Sequence, residues 1–394
     1  MAYASTESIN SPPGPITITE PLFGKSSQAG AVYDILTERK YGPRLSLKNK
    51  LYYFARPFIP VRARQFLQRA ARPRTFAGDP FVDTELLDEY ARRIPKGEQL
   101  RMLNFWPDGK QWAIILTHDV ETEVGFKNIE AVVRIEEQYG FRSSWNLVAK
   151  KYAIDQAYVD ELKKRGFEVG IHGYNHDGRD YLSRRVFRRR AKYVNEAIKK
   201  FAAVGFRSPA CQRNLEWLQD LNVEYDASCF DVDPFQPMPG GTKSIWPFRA
   251  GRFIELPYTL PQDHVLFITL AEQSNTIWKK KTEWLIQHRG MACLITHPDY
   301  LLDKRLLGYY EDYLRFLRAK TGYWHGTPAA LVEWWKAREN SSIVVEGSVE
   351  RIEGPAMNYG GSVITVGSEN GKLVFQGPTD RVRHPEEAGA VLRH

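Results

Sequence analysis

The sequence predicts an α/β protein whose main body is a parallel β/α sheet or barrel of about seven strands. Three observations predict it. From Gln111 onward, short and nearly continuous apolar runs such as "WAIILTHDVE" end in polar residues, as strands buried on both faces do. Those runs alternate with segments of helical spacing, the first being "NIEAVVRIEEQYG" with a closing glycine. No internal repeat of fixed period is visible, which argues against a solenoid or propeller.

Each element follows in order. After the first strand and helix come strand-like "RSSWNLVA", helix-like "DQAYVDELKKRG", strand-like "FEVGIHG" and a long basic helix to about Phe201. Then come "GFRSP", helix-like "NLEWLQDL", "VEYDASCF", "FIELPY", a helix around "TIWKKKTEWLIQHRG" and strand-like "MACLITH". This body is assigned to 106–340. Residues 1–30 are rich in Ser, Pro and Gly and are expected to be disordered. Residues 31–105 read as a basic helical arm broken at Pro57, Pro60 and Pro73. Residues 341–394 alternate apolar and polar positions between glycines, which reads as a small β appendage and a frayed tail.

Composition excludes several classes. The 43% hydrophobic and 26% charged content is that of a globular chain able to bury a core. No apolar window is long enough for a transmembrane helix, and the N-terminus lacks the pattern of a secretory signal. Cys211, Cys229 and Cys293 lack metal-ligand spacing and read as reduced thiols, so a cytoplasmic setting is the expectation. Ten tryptophans and twenty tyrosines suit a carbohydrate cleft, although large cores account for most such residues.

The net charge of +8 is unevenly spread. Residues 44–74 hold nine Lys or Arg and no acid, with aromatics interleaved. Such a stretch can lie on an anionic membrane surface, making the protein peripheral, or pack on the main domain as a solvated arm. A second cluster, "SRRVFRRRAK", reads as an exposed helix face. Neither carries a nucleic-acid signature, so nucleic acid is not an expected partner.

In a β/α barrel, catalytic groups project from the C-terminal ends of strands. Those ends carry Asp119 and Glu121, His172 and His176, Arg207, Asp231 and Asp233, and His297. Two neutral imidazoles and a carboxylate suit a divalent transition metal, with zinc first, and leave positions open for water and substrate. The carboxylate would come from Asp119 or Glu121. Gly173 gives the chain freedom to fold His176 back toward His172. Asp119 can take a proton from water and His297 can protonate a leaving group. Arg207 can hold the base carboxylate ionised and oriented. Plainer readings exist: Asp119 as a helix cap and Arg207 as a partner of a surface acid; Asp299 and Tyr300 read equally as substrate-facing or as turn residues. His118 reads as a supporting residue.

Taken together, "THDVE", "HGYNH", "RSP" and "CLITH" resemble the motifs of the polysaccharide deacetylase family, the domain shared with rhizobial chitooligosaccharide deacetylases. The resemblance covers roughly residues 111–300 and implies a distorted (β/α)7 barrel with metal-dependent hydrolysis of an acetamide. It implies Asp119 as base, Glu121, His172 and His176 as ligands, Arg207 in the R-x-P motif and His297 as acid. Glutamate stands where the family has its second aspartate, and Ala210 where an aromatic often follows. The family also supplies an aspartate that orients the acid histidine, and Asp233 is the choice here. The resemblance thus implies removal of an acetyl group from an N-acetylated sugar of a bacterial surface polysaccharide or its precursor. Two alternatives are a hydrolase of a non-sugar amide on the same barrel and an inactive glycan-binding barrel.

Overall fold

The computed structural model describes residues 15–42, 51–52, 59, 78–347 and 349–378. The strands in chain order are β1 (Ile18–Thr19), β2 (Ser26–Ser27), β3 (Gln99–Leu103), β4 (Trp112–Val120), β5 (Ser143–Leu147), β6 (Glu168–Ile171), β7 (Gly205–Phe206) and β8 (Tyr225–Asp226). They continue as β9 (Phe248–Ala250), β10 (Phe253–Glu255), β11 (Met291–Thr296), β12 (Tyr323–His325), β13 (Ser342–Glu346), β14 (Val349–Glu353), β15 (Val363–Glu369) and β16 (Lys372–Gln376).

A parallel path of seven strands runs β11-β4-β5-β6-β7-β8-β10. Its two ends meet. The amides of Thr259 and Leu260, just past β10, both donate to the Cys293 carbonyl of β11 at 3.1 Å. The Cys293 amide donates in turn to Thr259 Oγ1 at 3.0 Å. The result is the distorted (β/α)7 barrel. The distortion lies in the short β7 and β8 and in β12, which pairs with the first three residues of β4 where β5 has not yet begun.

The intervening helices stop and start where the chain dictates. Helix Glu123–Tyr139 begins at Thr122, whose side chain accepts the Gly125 amide, and ends at Gly140 with φ 76°. The basic helix Arg184–Phe201 begins at Ser183, whose hydroxyl accepts the Val186 amide. It buries Phe187, Val194, Ile198 and Phe201 and exposes Arg185, Arg189 and Lys192, as its sequence suggests. Aromatic richness serves the interior. Seven of the ten tryptophans are fully buried, and Trp106 and Trp246 both donate to the Arg289 carbonyl, at 3.0 and 2.8 Å.

The flanks differ from their sequence reading. Residues 15–30 are not disordered: β1 and β2 form a hairpin that extends the sheet at β9. The segment 31–105 is only partly a helical arm. It contains helices Ala31–Leu36 and Glu85–Arg93, but Gln99–Leu103 is a strand paired antiparallel with β15. The C-terminal appendage therefore borrows β3 rather than standing apart. These segments lack the strong period that marks the barrel, because two-residue strands and edge pairing leave little alternation to read. Almost all of 44–74 lies outside the described residues, as do 1–14 and 379–394. No helix among the described residues is long and apolar enough to cross a membrane.

Candidate metal and hydrolytic site

Strand register brings the polar ends to one level. Thr296 pairs with His118, Asp119 with Asn146, and Ile171 with Phe206. His297, Asp119, His172 and Arg207 therefore emerge together at the C-terminal mouth of the barrel, and all four are buried.

Asp119 is held from three sides. Its Oδ1 accepts from Asn146 Nδ2 at 3.0 Å and from Arg207 at 3.2 Å, and its Oδ2 lies 3.8 Å from His172 Nε2. Burial works to raise its pKa, but the neighbouring His172, Arg207 and His297 and the Asn146 hydrogen bond together outweigh it and hold the carboxyl below its ordinary value. Arg207 is pinned behind it, donating to the Ala227 carbonyl at 2.8 Å and to Thr117 Oγ1 at 2.7 Å.

The two-histidine loop bends as the glycine demands. Gly173 has φ 67°, and a Cβ there would stand 2.4 Å from Pro209 Cγ of the R-S-P segment. Only glycine lets the two motifs pack, and His176 then adopts φ 57° to turn its ring inward. The ring centroids of His172 and His176 are 5.0 Å apart.

The test of whether these residues suit a metal is chemical. His172 Nδ1 donates to the Arg207 carbonyl at 3.1 Å, so Nε2 carries the lone pair. That Nε2 is buried and has no hydrogen-bond partner among the described residues. Burial lowers the His172 pKa to about 4, so the ring is neutral. A buried lone pair facing carboxylates lacks a positive partner, which a cation would supply. Glu121 Oε1 lies 3.0 Å from His176 Nε2, and ligand atoms of Glu121, His172 and His176 all fall within 4.8 Å of one another. The set fits a divalent ion, with Glu121 as the carboxylate.

His297 is tuned the opposite way. Its Nε2 is 3.6 Å from Glu121 Oε1, while Nδ1 donates to Asp263 Oδ1 at 2.6 Å. Burial alone would lower its pKa, but the Asp263 carboxylate outweighs burial and raises it to about 10.

Asp263 is the histidine-orienting residue that sequence reasoning missed. Asp233 does not reach His297: its oxygens accept from the Phe235 amide, Gln236 Nε2 and the Tyr258 hydroxyl, at 3.0, 2.8 and 3.1 Å. It shapes its own loop. Asp231 is also elsewhere, paired with buried Lys281 at 2.6 Å. Asp263 follows the irregular stretch after β10 and heads the short helical segment His264–Thr269. An acid closing "ELPYTLPQD" just before the returning helix was the available signal. His118 turns away from the site, with Nε2 2.8 Å from Glu136 Oε1 and its ring stacked on Trp145 at 4.0 Å. It supports the strand, as read. A second group of possible ligands, Asp226, Cys229 and Glu255, is fully buried in the barrel wall. There the two carboxyls hydrogen-bond each other, and burial raises both pKa values, so they share a proton rather than lack a cation.

No family profile matches the chain, and no curated protein matches it in sequence. Among solved structures it is similar to a protein assigned as a polysaccharide deacetylase from Mycobacterium smegmatis, at 16% identity and TM-score 0.49, covering 60% of this chain and 94% of that one. It is also similar to the Puue allantoinase, at 12% identity and TM-score 0.47, covering 59% and 92%. A family 4 carbohydrate esterase from Streptomyces lividans in complex with acetate matches at 14% identity and TM-score 0.37, covering 56% and 93%.

Proposed function

We propose that this chain is a metal-dependent hydrolase that removes an acetyl group from an N-acetylated sugar of a bacterial surface polysaccharide or its precursor. The observation that carries the reading is the placement of oppositely tuned histidines around one carboxylate. Neutral His172 stands with His176 on one side of Glu121 and cationic His297 on the other. Pairs of titratable groups pushed apart by their surroundings mark acid and base roles.

Glu121, His172 and His176 would hold the divalent ion, zinc by ligand type. When bound, the ion supplies Lewis acidity, polarising an acetyl carbonyl and making nearby water a better nucleophile. Asp119 removes the proton from that water as it attacks, and Arg207 and Asn146 keep the receiving carboxylate oriented. His297 donates its Nε2 proton to the departing sugar nitrogen, so the amine leaves without negative charge. Asp263 holds the ring in place and stabilises its cationic form. The sugar substrate is what the motif resemblance supports; the geometry supports hydrolysis of an acyl bond.

Acetate release from N-acetylglucosamine oligomers tests the reading. Metal-loaded protein is expected to release acetate, chelator-treated protein to stop, and added zinc or cobalt to restore release. Acetate release undiminished by complete removal of metal would contradict the mechanism. Turnover of simple non-sugar amides without any on acetylated sugars would move the substrate class.

A further inference from the structure

One acid beside the site has no part in the steps above. Asp299 follows His297 by two residues, in a tight turn where the amides of Tyr300 and Leu301 both donate to the His297 carbonyl, at 2.9 and 3.1 Å. Its side chain crosses to the neighbouring strand end. Oδ2 accepts the Glu121 amide at 3.0 Å, and Oδ1 accepts the Thr122 hydroxyl. The carboxylate occupies space that only a glycine leaves. A Cβ on Gly125 would stand 2.2 Å from Asp299 Oδ2 and 2.7 Å from Oδ1. Thr122 is itself the cap of helix Glu123–Tyr139, accepting the Gly125 amide at 3.2 Å.

We propose that Asp299 is a positioning residue for Glu121, fixing the ligand carboxylate by clamping its backbone onto the loop that carries His297. The inference rests on the reading of Glu121 as a metal ligand. Glu121 follows the last residue of β4 and precedes the helix, so no ladder bond holds its amide. Asp299 supplies that bond. It ties the ligand's backbone to the proton donor's turn, and the Glu121 Oε1 distances of 3.0 Å to His176 and 3.6 Å to His297 depend on both. Carboxylate partners of this kind orient ligands and raise metal affinity.

Cobalt binding to the full chain tests this, read as the dissociation constant by chelator competition and as the visible absorption of the bound ion. Asp299→Ala is expected to weaken cobalt binding about 10- to 100-fold, the usual effect of losing a ligand's supporting partner, and to change the absorption bands. Asp299→Asn should recover part of the affinity, since its amide oxygen still accepts from Glu121, while the bond to Thr122 must reverse, the new NH₂ donating to the hydroxyl that the carboxylate accepted from. Should Asp299→Ala fail to fold, Gly125→Ala decides. Alanine is the better helix former, so a purely helical role predicts a stable protein with unchanged cobalt binding. The clamp predicts weaker binding, because the new methyl displaces the Asp299 carboxylate. Wild-type affinity and absorption in both folded Asp299→Ala and Gly125→Ala would overturn the proposal. Failure of the wild type itself to bind cobalt would overturn the metal reading, and the clamp with it.

Discussion

Asp263 grips His297 with both carboxylate oxygens, Oδ1 on the ring Nδ1 at 2.6 Å and Oδ2 on the backbone amide at 2.7 Å. The same Oδ1 accepts the His264 amide at 2.7 Å. A buried carboxylate held so firmly both aims the ring and keeps it charged, and the first prediction follows from separating these effects.

Asp263→Asn preserves the shape but removes the charge that raises the His297 pKa to about 10. With burial left to act, the pKa falls and the descending limb of the pH–rate profile moves to lower pH. A profile measured on an amide substrate checks this; an unmoved descending limb would mean that His297 is not the acid. Asp233→Asn, which touches only its own loop, should leave that limb in place. His297→Ala should slow an amide more than an activated ester, because a good leaving group needs no proton.

The same groups set how stability varies with pH in metal-free protein. His297 rises from an ordinary 6.5 to about 10 on folding, so its contribution is full below about 6.5 and is lost as pH rises through about 10. His172 falls from 6.5 to about 4, so the folded state binds fewer protons than the unfolded one between those values. Stability therefore drops as pH falls from about 6.5 toward 4 on its account. Denaturant midpoints across pH 5 to about 10, compared with His297→Gln and His172→Gln, should show each variant losing its own limb of the dependence. Parallel curves for wild type and His297→Gln would contradict the assignment.

Asp119→Asn should keep its metal, since Glu121 is the carboxylate within reach of His176, and lose about 10²–10⁴-fold in turnover, typical for one general base. Metal analysis and acetate release on the same sample check both halves. Near-normal turnover would remove Asp119 from the base role.

The barrel was legible because its strands are buried on both faces and its helices carry strong caps, so period and punctuation agree from "WAIILTHDVE" to "MACLITH". The site residues on strand ends were legible for the same reason, since position along a parallel strand fixes position at the mouth. Asp263 escaped because it ends an irregular run, eight residues beyond Glu255, where no period marks a strand end. The contacts of Asn146 and Asp299 escaped for another reason. They join neighbouring strand ends, Asn146 to Asp119 and Asp299 to Glu121, and one sequence does not display cross-strand register. The N-terminal hairpin and the union of β3 with β15 depend on pairings hundreds of residues apart in sequence or on two-residue strands, neither of which leaves a local pattern.

The central claim is that Glu121, His172 and His176 hold one catalytic ion, and metal content tests it most directly. Elemental analysis of dialysed protein after zinc loading should find about one divalent ion per chain in the wild type, as a site of two histidines and a carboxylate holds. His172→Ala should retain little, with its fold intact by circular dichroism. Equal metal in His172→Ala and wild type, or none in the wild type, would contradict the account.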